Sequence, residues 1–301
     1  MTKRNSLIEF YRFFFALNVV KNHGFFPYQG PYFSPGRISV EFFFVLSGWL
    51  MIKSIDKYTH KTYWRGLGSL IRDKLYILGI PLIVGLVFNV VHECLVGVGA
   101  WYNINIWGYL WYVYDMLIVF VVYYTIRKYI KNKKVFLLIT SVIFLTTAII
   151  HSIPTFYAWG YFRAFSAMSI GVLISFLPSI KTKSKWWIWV LLVVVWALIL
   201  KMFLFDFSFV EDEILNFVLY PALIYLTFQL PVSNCVFNYL GALSFGMYAY
   251  QSIPRVIRVL GYDNTWVFFG IIMFLAIATD LIKRIITAHK NPLYGNLKND
   301  E

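Results

Sequence analysis

Apolar segments of about twenty residues recur along the whole chain, and a helix needs roughly 20 such residues to cross the hydrocarbon core of a bilayer. We place ten of them, at residues 7–27, 38–55, 75–93, 106–126, 135–153, 159–177, 186–204, 213–229, 238–257 and 264–286. With short connections they use nearly all of the 301 residues. The pattern predicts an all-α, polytopic membrane bundle of about ten transmembrane helices over residues 1–290, with a short cytoplasmic tail at 291–301.

The composition excludes an ordinary soluble domain, because 60% of the residues are hydrophobic and only 14% are charged. The formal charge of +13 would suggest nucleic acid in a soluble protein. Here Lys and Arg cluster in alternate loops, as the positive-inside rule requires, so we expect a membrane-lipid environment and no nucleic acid. Both termini are predicted to be cytoplasmic. Cys94 and Cys235 are predicted on opposite sides of the membrane, so neither a disulfide framework nor a metal site is implied.

The first apolar segment carries more ionisable residues than a passive anchor would. Arg12 and His23 are 11 residues apart, which is about three helical turns, so they lie on nearly the same face about 16 Å apart along the axis. Glu9 precedes Arg12 by one turn and can pair with it. This face therefore presents a paired cation and, further along, a titratable imidazole.

The second apolar segment contains Glu41, which needs a partner inside a membrane. His23 and Arg37 are the nearest candidates in a hairpin of the first two helices. Ser47 and Gly48 follow on the same segment and are typical of close packing between membrane helices.

Other polar residues give weaker signals. Asp115 follows Trp111 and further aromatic residues, which indicates a polar pocket wall. Arg163 lies deeper in its segment, and the sequence favours neither a structural nor a functional role for it. His92 and His151 are expected to be interfacial residues that water satisfies.

Four segments resemble motifs of the acyltransferase 3 family of membrane O-acyltransferases, which are mostly bacterial and modify cell-surface glycans. The segment Ile8-Glu9-Phe10-Tyr11-Arg12 through His23 resembles the family's Arg-x10-His helix, and Ser39 through Leu50 resembles its Val-Asp-x-Phe-Phe-x-x-Ser-Gly-Phe segment, with Glu41 for Asp. Leu110 through Tyr114 resembles its Leu-Trp-Phe-Leu helix start, and Leu240 through Tyr248 resembles its Leu-Gly-x-x-Ser-x-x-x-Tyr motif.

The resemblance implies acyl-coenzyme A, typically acetyl-coenzyme A, as a cytoplasmic donor substrate in a bacterial cytoplasmic membrane. The acceptor would be a cell-surface polysaccharide or a lipid-linked sugar. Arg72 and Lys74 supply cations for the donor phosphates, although they match the family's Arg-x-Arg-like cluster only loosely. Gln251 stands where the family often has His, which weakens a role for a second histidine.

We therefore predict that His23 acts as general base on a sugar hydroxyl, that Glu41 orients it, and that Arg12 stabilises the oxyanion or a donor phosphate. A covalent acyl-enzyme stays open, although no Ser or Cys has a nucleophile context. The residues predicted to bind substrate or donor are Glu9, Ser47, Arg72, Lys74, Trp111, Asp115 and Arg163.

The alternative is a transporter or flippase for a lipid-linked sugar, which would also carry charges inside a helical bundle. The chain has no inverted repeat and no paired broken helices, which are typical of such proteins. A purely structural or receptor protein is a third alternative, disfavoured by the intramembrane Arg, His and Glu residues.

The ten-helix topology predicts the accessibility of introduced cysteines. Cysteines at positions 130 and 183 should resist membrane-impermeant thiol reagents in intact cells, whereas cysteines at 30 and 208 should be labelled, because the two pairs lie on opposite sides. Labelling at 183 in sealed cells would contradict the topology.

Overall fold

The computed structural model describes residues 5–24, 35–96, 111–153, 160–181, 184–204, 209–251, 253–261 and 264–290. Every regular element in these ranges is helical. The described ranges hold twelve α-helices, and a π-helical turn at Leu215–Leu219 connects the eighth and the ninth. The helices are α1 Ser6–Gly24, α2 Pro35–Asp56, α3 Tyr63–Val96, α4 Trp111–Tyr129, α5 Lys133–Ser152, α6 Gly160–Ser175, α7 Trp186–Leu204, α8 Phe209–Ile214, α9 Tyr220–Phe228, α10 Cys235–Ala249, α11 Ile253–Val259 and α12 Thr265–Lys290.

Each of the ten predicted segments contains helix, but α3 begins twelve residues before the predicted start at 75. The extra turns carry Arg65, Arg72 and Lys74, and hydropathy alone could not detect such a charged helical extension. The helix is kinked at Gly79, two residues before Pro81. Proline lacks an amide hydrogen and crowds the preceding turn, which accounts for the kink.

Two predicted segments are subdivided in the structure. The segment predicted at 213–229 consists of α8, the π-helical turn and α9 in one continuous run. The segment predicted at 238–257 is broken between α10 and α11, just before Pro254. A proline has no amide hydrogen and its ring clashes with the carbonyl four residues earlier, here that of Tyr250, so α10 cannot continue through Pro254 and a new helix begins beside it.

Within the described ranges, three helices are long and apolar enough to cross a membrane, over Leu78–Leu95, Lys133–Ser152 and Trp266–Ile286. A shorter apolar helix covers Trp186–Met202. Helices α1 and α2 carry several charged residues each, which lowers their mean hydropathy. The count of ten spans and the side on which the termini lie stay predictions. Cys94 and Cys235 are both free and exposed.

The core of the bundle lies around α1 and α2. Helix α1 packs on α2 and α10, and α6 packs on α2 and α5. Phe15, Phe42 and Tyr220 are fully buried and bring α1, α2 and α9 together. Helix α2 approaches α6 through glycines on both sides, because a Cβ at Gly48 would overlap the Met168 carbonyl and a Cβ at Gly171 would overlap that of Val45.

Replacing Gly48 or Gly171 by Ala should lower the thermal stability of the purified protein in detergent. The added methyl group meets backbone atoms that cannot rotate away, and overpacking of this kind costs about 1–3 kcal/mol. Gly68→Ala is the matched control, because a Cβ there has nothing within 4 Å. That variant should gain up to about 1 kcal/mol, since alanine is the better helix former. Equal melting temperatures for all three variants would contradict the close packing of α2 and α6.

Candidate active site

The predicted ion pair on α1 is confirmed. Arg12 Nη1 lies 2.7 Å from Glu9 Oε2, one helical turn apart. The Glu9 side chain is 10% exposed and the Arg12 side chain 30%. Gly241 of α10 packs directly on Glu9, so a larger residue there would collide with the carboxylate. The pair thus lies at the contact between α1 and α10, and its guanidinium stays partly accessible.

Ser47 and Tyr112 connect the second and third motif segments. The Ser47 hydroxyl lies 3.0 Å from the Tyr112 hydroxyl, and the Tyr112 hydroxyl also donates to the Phe43 carbonyl at 3.4 Å. Arg12 of α1 is near enough to the start of α4 to act electrostatically on Tyr112. Three of the four motif segments therefore meet around one buried tyrosine.

Tyr248 adds the fourth segment. Its ring contacts the Tyr112 ring edge-on, with centroids 5.5 Å apart. Its hydroxyl is hydrogen-bonded to the Gln251 side chain and to the backbone of Tyr112, in the first turn of α4. Amide hydrogens in a first turn have no partner within their own helix. Gln251, noted in the sequence only as a departure from the family motif, therefore lies within this group.

Asp115 and Trp111 lie on the first two turns of α4, close to these tyrosines. Asp115 is buried and acts electrostatically on Tyr248. The start of α6 packs against both residues, because a Cβ at Gly160 would overlap the Asp115 carboxylate and the Trp111 ring. We call Arg12, Ser47, Tyr112, Asp115, Tyr248 and Gln251 the tyrosine group.

A second polar group lies between α2, α6 and α8. Arg163 forms a buried ion pair with Glu41 and lies 3.6 Å from Asp212 Oδ2 through Nη2. All three side chains are at most 3% exposed. The predicted Glu41 partners, His23 and Arg37, have side chains outside the described residues. We call Glu41, Arg163 and Asp212 the ion cluster.

His151 and Glu213 extend the ion cluster. His151 Nε2 lies 3.8 Å from Glu213 Oε1, and the histidine side chain is 1% exposed. The expectation that His151 is an interfacial residue satisfied by water is therefore wrong. His92, by contrast, is partly exposed on α3, with Nδ1 3.4 Å from Glu93 Oε1.

The rings of Phe15, Phe42 and Tyr220 lie together and give a reference level, from which the height of His23 along the bundle axis can be estimated. The centroid of Phe15 is 4.2 Å from that of Phe42 and 5.4 Å from that of Tyr220, and Phe42 is 5.9 Å from Tyr220. His23 is eight residues beyond Phe15 on α1, about 12 Å along the axis. Asp212 is eight residues before Tyr220 and therefore at a similar height on its helix.

The same register places Glu41 one residue from Phe42, about 10 Å below the height of His23. Asp212 and Glu213 are thus closer to His23 along the bundle axis than Glu41 is. Sequence reasoning missed their burial because four acidic residues within eight positions are typical of a loop. The available signal was the spacing of Asp212, Asn216 and Tyr220, four residues apart on one helical face.

Arg72 and Lys74 do not come together. They are two residues apart on α3, so their side chains leave the helix in nearly opposite directions. Arg72 is exposed, whereas Lys74 Nζ lies 4.3 Å from the centre of the Phe120 ring. Burial lowers the pKa of Lys74 to about 8, and the neighbouring Asp73 opposes that shift.

A helical bundle that holds charged and tyrosine-rich groups in its interior is typical of a membrane protein with an internal polar site. A family model described as an acyltransferase domain matches residues 5–282. The chain therefore belongs to the acyltransferase 3 family and is a membrane acyltransferase. No curated protein and no solved structure matches the chain significantly.

Proposed function

We propose that the protein transfers an acyl group, in particular acetyl, from acyl-coenzyme A to a hydroxyl of a cell-surface polysaccharide or a related glycan. The observation that carries the proposal is the tyrosine group. It draws together residues from all four motif segments beside a partly exposed Arg12, on the same helix as His23. Ser47 and Asp115 belong to this site, and Trp111 borders it.

His23 is the general base of the proposed reaction. Its imidazole takes the proton from the acceptor hydroxyl as the hydroxyl oxygen attacks the thioester carbonyl. The carbon–sulfur bond then breaks, and the leaving thiolate takes the proton from the imidazolium. Arg12, held by Glu9, lines the donor path and stabilises the developing oxyanion or a donor phosphate.

Glu41 is proposed to act mainly through Arg163, its partner in the ion cluster. Orientation of His23 by Glu41, as predicted from the sequence, would have to span the difference of about 10 Å in height along the bundle. Asp212 shares Arg163 and lies nearer that height. The ion cluster therefore supports the environment of His23 from the side of α8.

The proposed reaction fits a bundle of ten spans with both termini in the cytoplasm, in a bacterial cytoplasmic membrane. Acyl-coenzyme A then arrives from the cytoplasmic end, where α1 begins, and the glycan or lipid-linked sugar from the opposite end. Membership of an acyltransferase family argues against the flippase alternative. Release of free coenzyme A thiol separates the two functions, because a flippase consumes no thioester.

The proposal is tested by mass spectrometry of surface glycans from cells with and without the protein. We expect O-acetyl groups that disappear when the chain is deleted. Membranes that contain the protein should release coenzyme A thiol when acetyl-coenzyme A and glycan are both supplied. Identical glycans in both strains, with no thiol release, would rule the proposal out.

His23→Gln should reduce acylation by about 10²–10⁴-fold, which is the usual contribution of a general base. Glutamine keeps the polarity and approximate size of the side chain but cannot take up a proton near neutral pH. The measurement is thiol release by purified protein, with thermal stability recorded in parallel. Glu41→Gln is expected to do less harm, because it leaves the proton acceptor in place.

Arg12→Lys is the companion variant, since it keeps the charge and loses the planar guanidinium. A large loss there would show that hydrogen-bond geometry matters in addition to charge. Activity of His23→Gln within a few-fold of wild type would exclude His23 as the base.

The pKa of Lys74 predicts that the KM for acetyl-coenzyme A depends on pH. Because that pKa is about 8, the cation is present at neutral pH and is lost as the pH rises through 8. The KM for acetyl-coenzyme A should therefore rise from pH 7 to pH 9 in the wild type, if Lys74 contacts the donor phosphates. Lys74→Arg should flatten this rise, because a guanidinium stays charged. The double variant Arg72→Ala/Lys74→Ala should raise the KM for acetyl-coenzyme A already at pH 7. An unchanged KM would mean that both residues serve only to set the orientation of the chain in the membrane.

A further inference from the structure

The continuous helical run from α8 to α9 has one buried face that carries polar side chains, whereas the buried residues next to that face are apolar. Asp212, Asn216 and Tyr220 follow one another at intervals of four residues, and all three are at most 2% exposed. The π-helical turn at Leu215–Leu219 interrupts the run at this point. Such turns occur mostly as single interruptions of α-helices and frequently at functional sites.

Two residues of this run carry buried oxygens without a hydrogen bond. Within the described part of the chain, Asn216 Oδ1 and both carboxylate oxygens of Glu213 accept none. The nearest ionic neighbour of Glu213 is His151, at 3.8 Å, which is too long for a hydrogen bond. Buried oxygens of this kind are costly to leave unsatisfied, so they point to a group that binds there.

The chemistry of the site selects that group. Carboxylate and amide oxygens accept hydrogen bonds, so the ligand must donate. An anion is disfavoured, because Glu41, Asp212 and Glu213 supply three carboxylates, whereas Arg163 supplies one guanidinium and His151 one imidazole. A sugar hydroxyl donates to such oxygens and can also accept from a nearby donor.

The position of the site along the bundle connects it with the proposed reaction. Asn216 is four residues and Glu213 seven residues before Tyr220, towards the end of the bundle where α1 ends. They therefore lie about 6 and 10 Å above the three rings, and His23 lies about 12 Å above them on the neighbouring helix α1. Both oxygen-bearing residues therefore lie below the level of the proposed base, Asn216 by about 6 Å and Glu213 by about 2 Å.

We infer that Glu213 and Asn216 form the acceptor subsite, where their side-chain oxygens accept hydrogen bonds from hydroxyl groups of the glycan and hold it towards His23. The inference rests on the proposed function and adds to it the part of the protein that binds the sugar. Asp212 and Arg163 support the subsite through the ion cluster.

The test uses purified full-length protein, acetyl-coenzyme A and glycan extracted from cells that lack the protein. Asn216→Leu and Glu213→Leu keep the approximate volume and remove the acceptor oxygens. Each should raise the glycan concentration for half-maximal thiol release at least tenfold. The KM for acetyl-coenzyme A should stay within twofold of wild type, because the donor binds elsewhere.

Glu213→Gln is the conservative variant and retains one oxygen acceptor. It should lose much less than Glu213→Leu if the ligand is a neutral hydroxyl. A loss equal to that of Glu213→Leu would indicate a charged amine and overturn the hydroxyl assignment. Thr140→Val is the matched control, because its buried hydroxyl donates within α5 to the Phe136 carbonyl, 2.9 Å away. That variant should leave both constants unchanged.

The outcomes separate this inference from the proposed function. No thiol release by the wild-type protein with its own unacylated glycan overturns the proposed function, and the subsite falls with it. Wild-type release together with unchanged glycan dependence in both Leu variants overturns the subsite alone. A lower melting temperature of the Leu variants with unchanged constants would give Glu213 and Asn216 a structural role only.

Discussion

The buried contact of Arg163 with Glu41 is the interaction that most constrains this bundle. Removing one partner of a buried ion pair costs about 3–5 kcal/mol, because the other charge is left in an apolar medium. Arg163 lies on α6 and Glu41 on α2, while Asp212 on α8 shares the guanidinium. Three helices that are distant in sequence must therefore pack around one guanidinium. The glycines of α2 and α6 make this possible, because they let the two backbones approach until the side chains can pair.

Much of the fold could be predicted from local sequence. Helix could be predicted in each of the ten segments because an apolar run is a property of residues close in sequence. The pairing of Arg12 with Glu9 follows from their spacing of one helical turn. The pairing of Glu41 with Arg163 could not be predicted, because it depends on which helices are neighbours. For the same reason His151 was interpreted as an interfacial residue, and the burial of Asp212 and Glu213 by tertiary packing could not be predicted.

For a related reason, only part of the candidate site could be predicted from the sequence. Arg12, Ser47, Trp111 and Asp115 lie in or beside motif segments and come together around Tyr112. Arg72 and Lys74 matched a motif loosely, and on a helix their spacing separates them. Tyr248 and Gln251 became recognisable as neighbours only through the contact of α10 with the start of α4. A spacing on one helix is thus a dependable guide, and a set of residues from several helices is not.

The three rings of Phe15, Phe42 and Tyr220 divide the interior into two levels. Arg12 is three residues below Phe15 on α1, and His23 is eight residues above it. The rings are fully buried, so they place apolar surface between the tyrosine group and the upper part of the ion cluster. In the proposed reaction the acyl group must meet the acceptor across this level, where water is scarce. Exclusion of water favours transfer to a sugar hydroxyl over hydrolysis of the thioester, which gives the dense aromatic packing of α1, α2 and α9 a role in the chemistry as well as in folding.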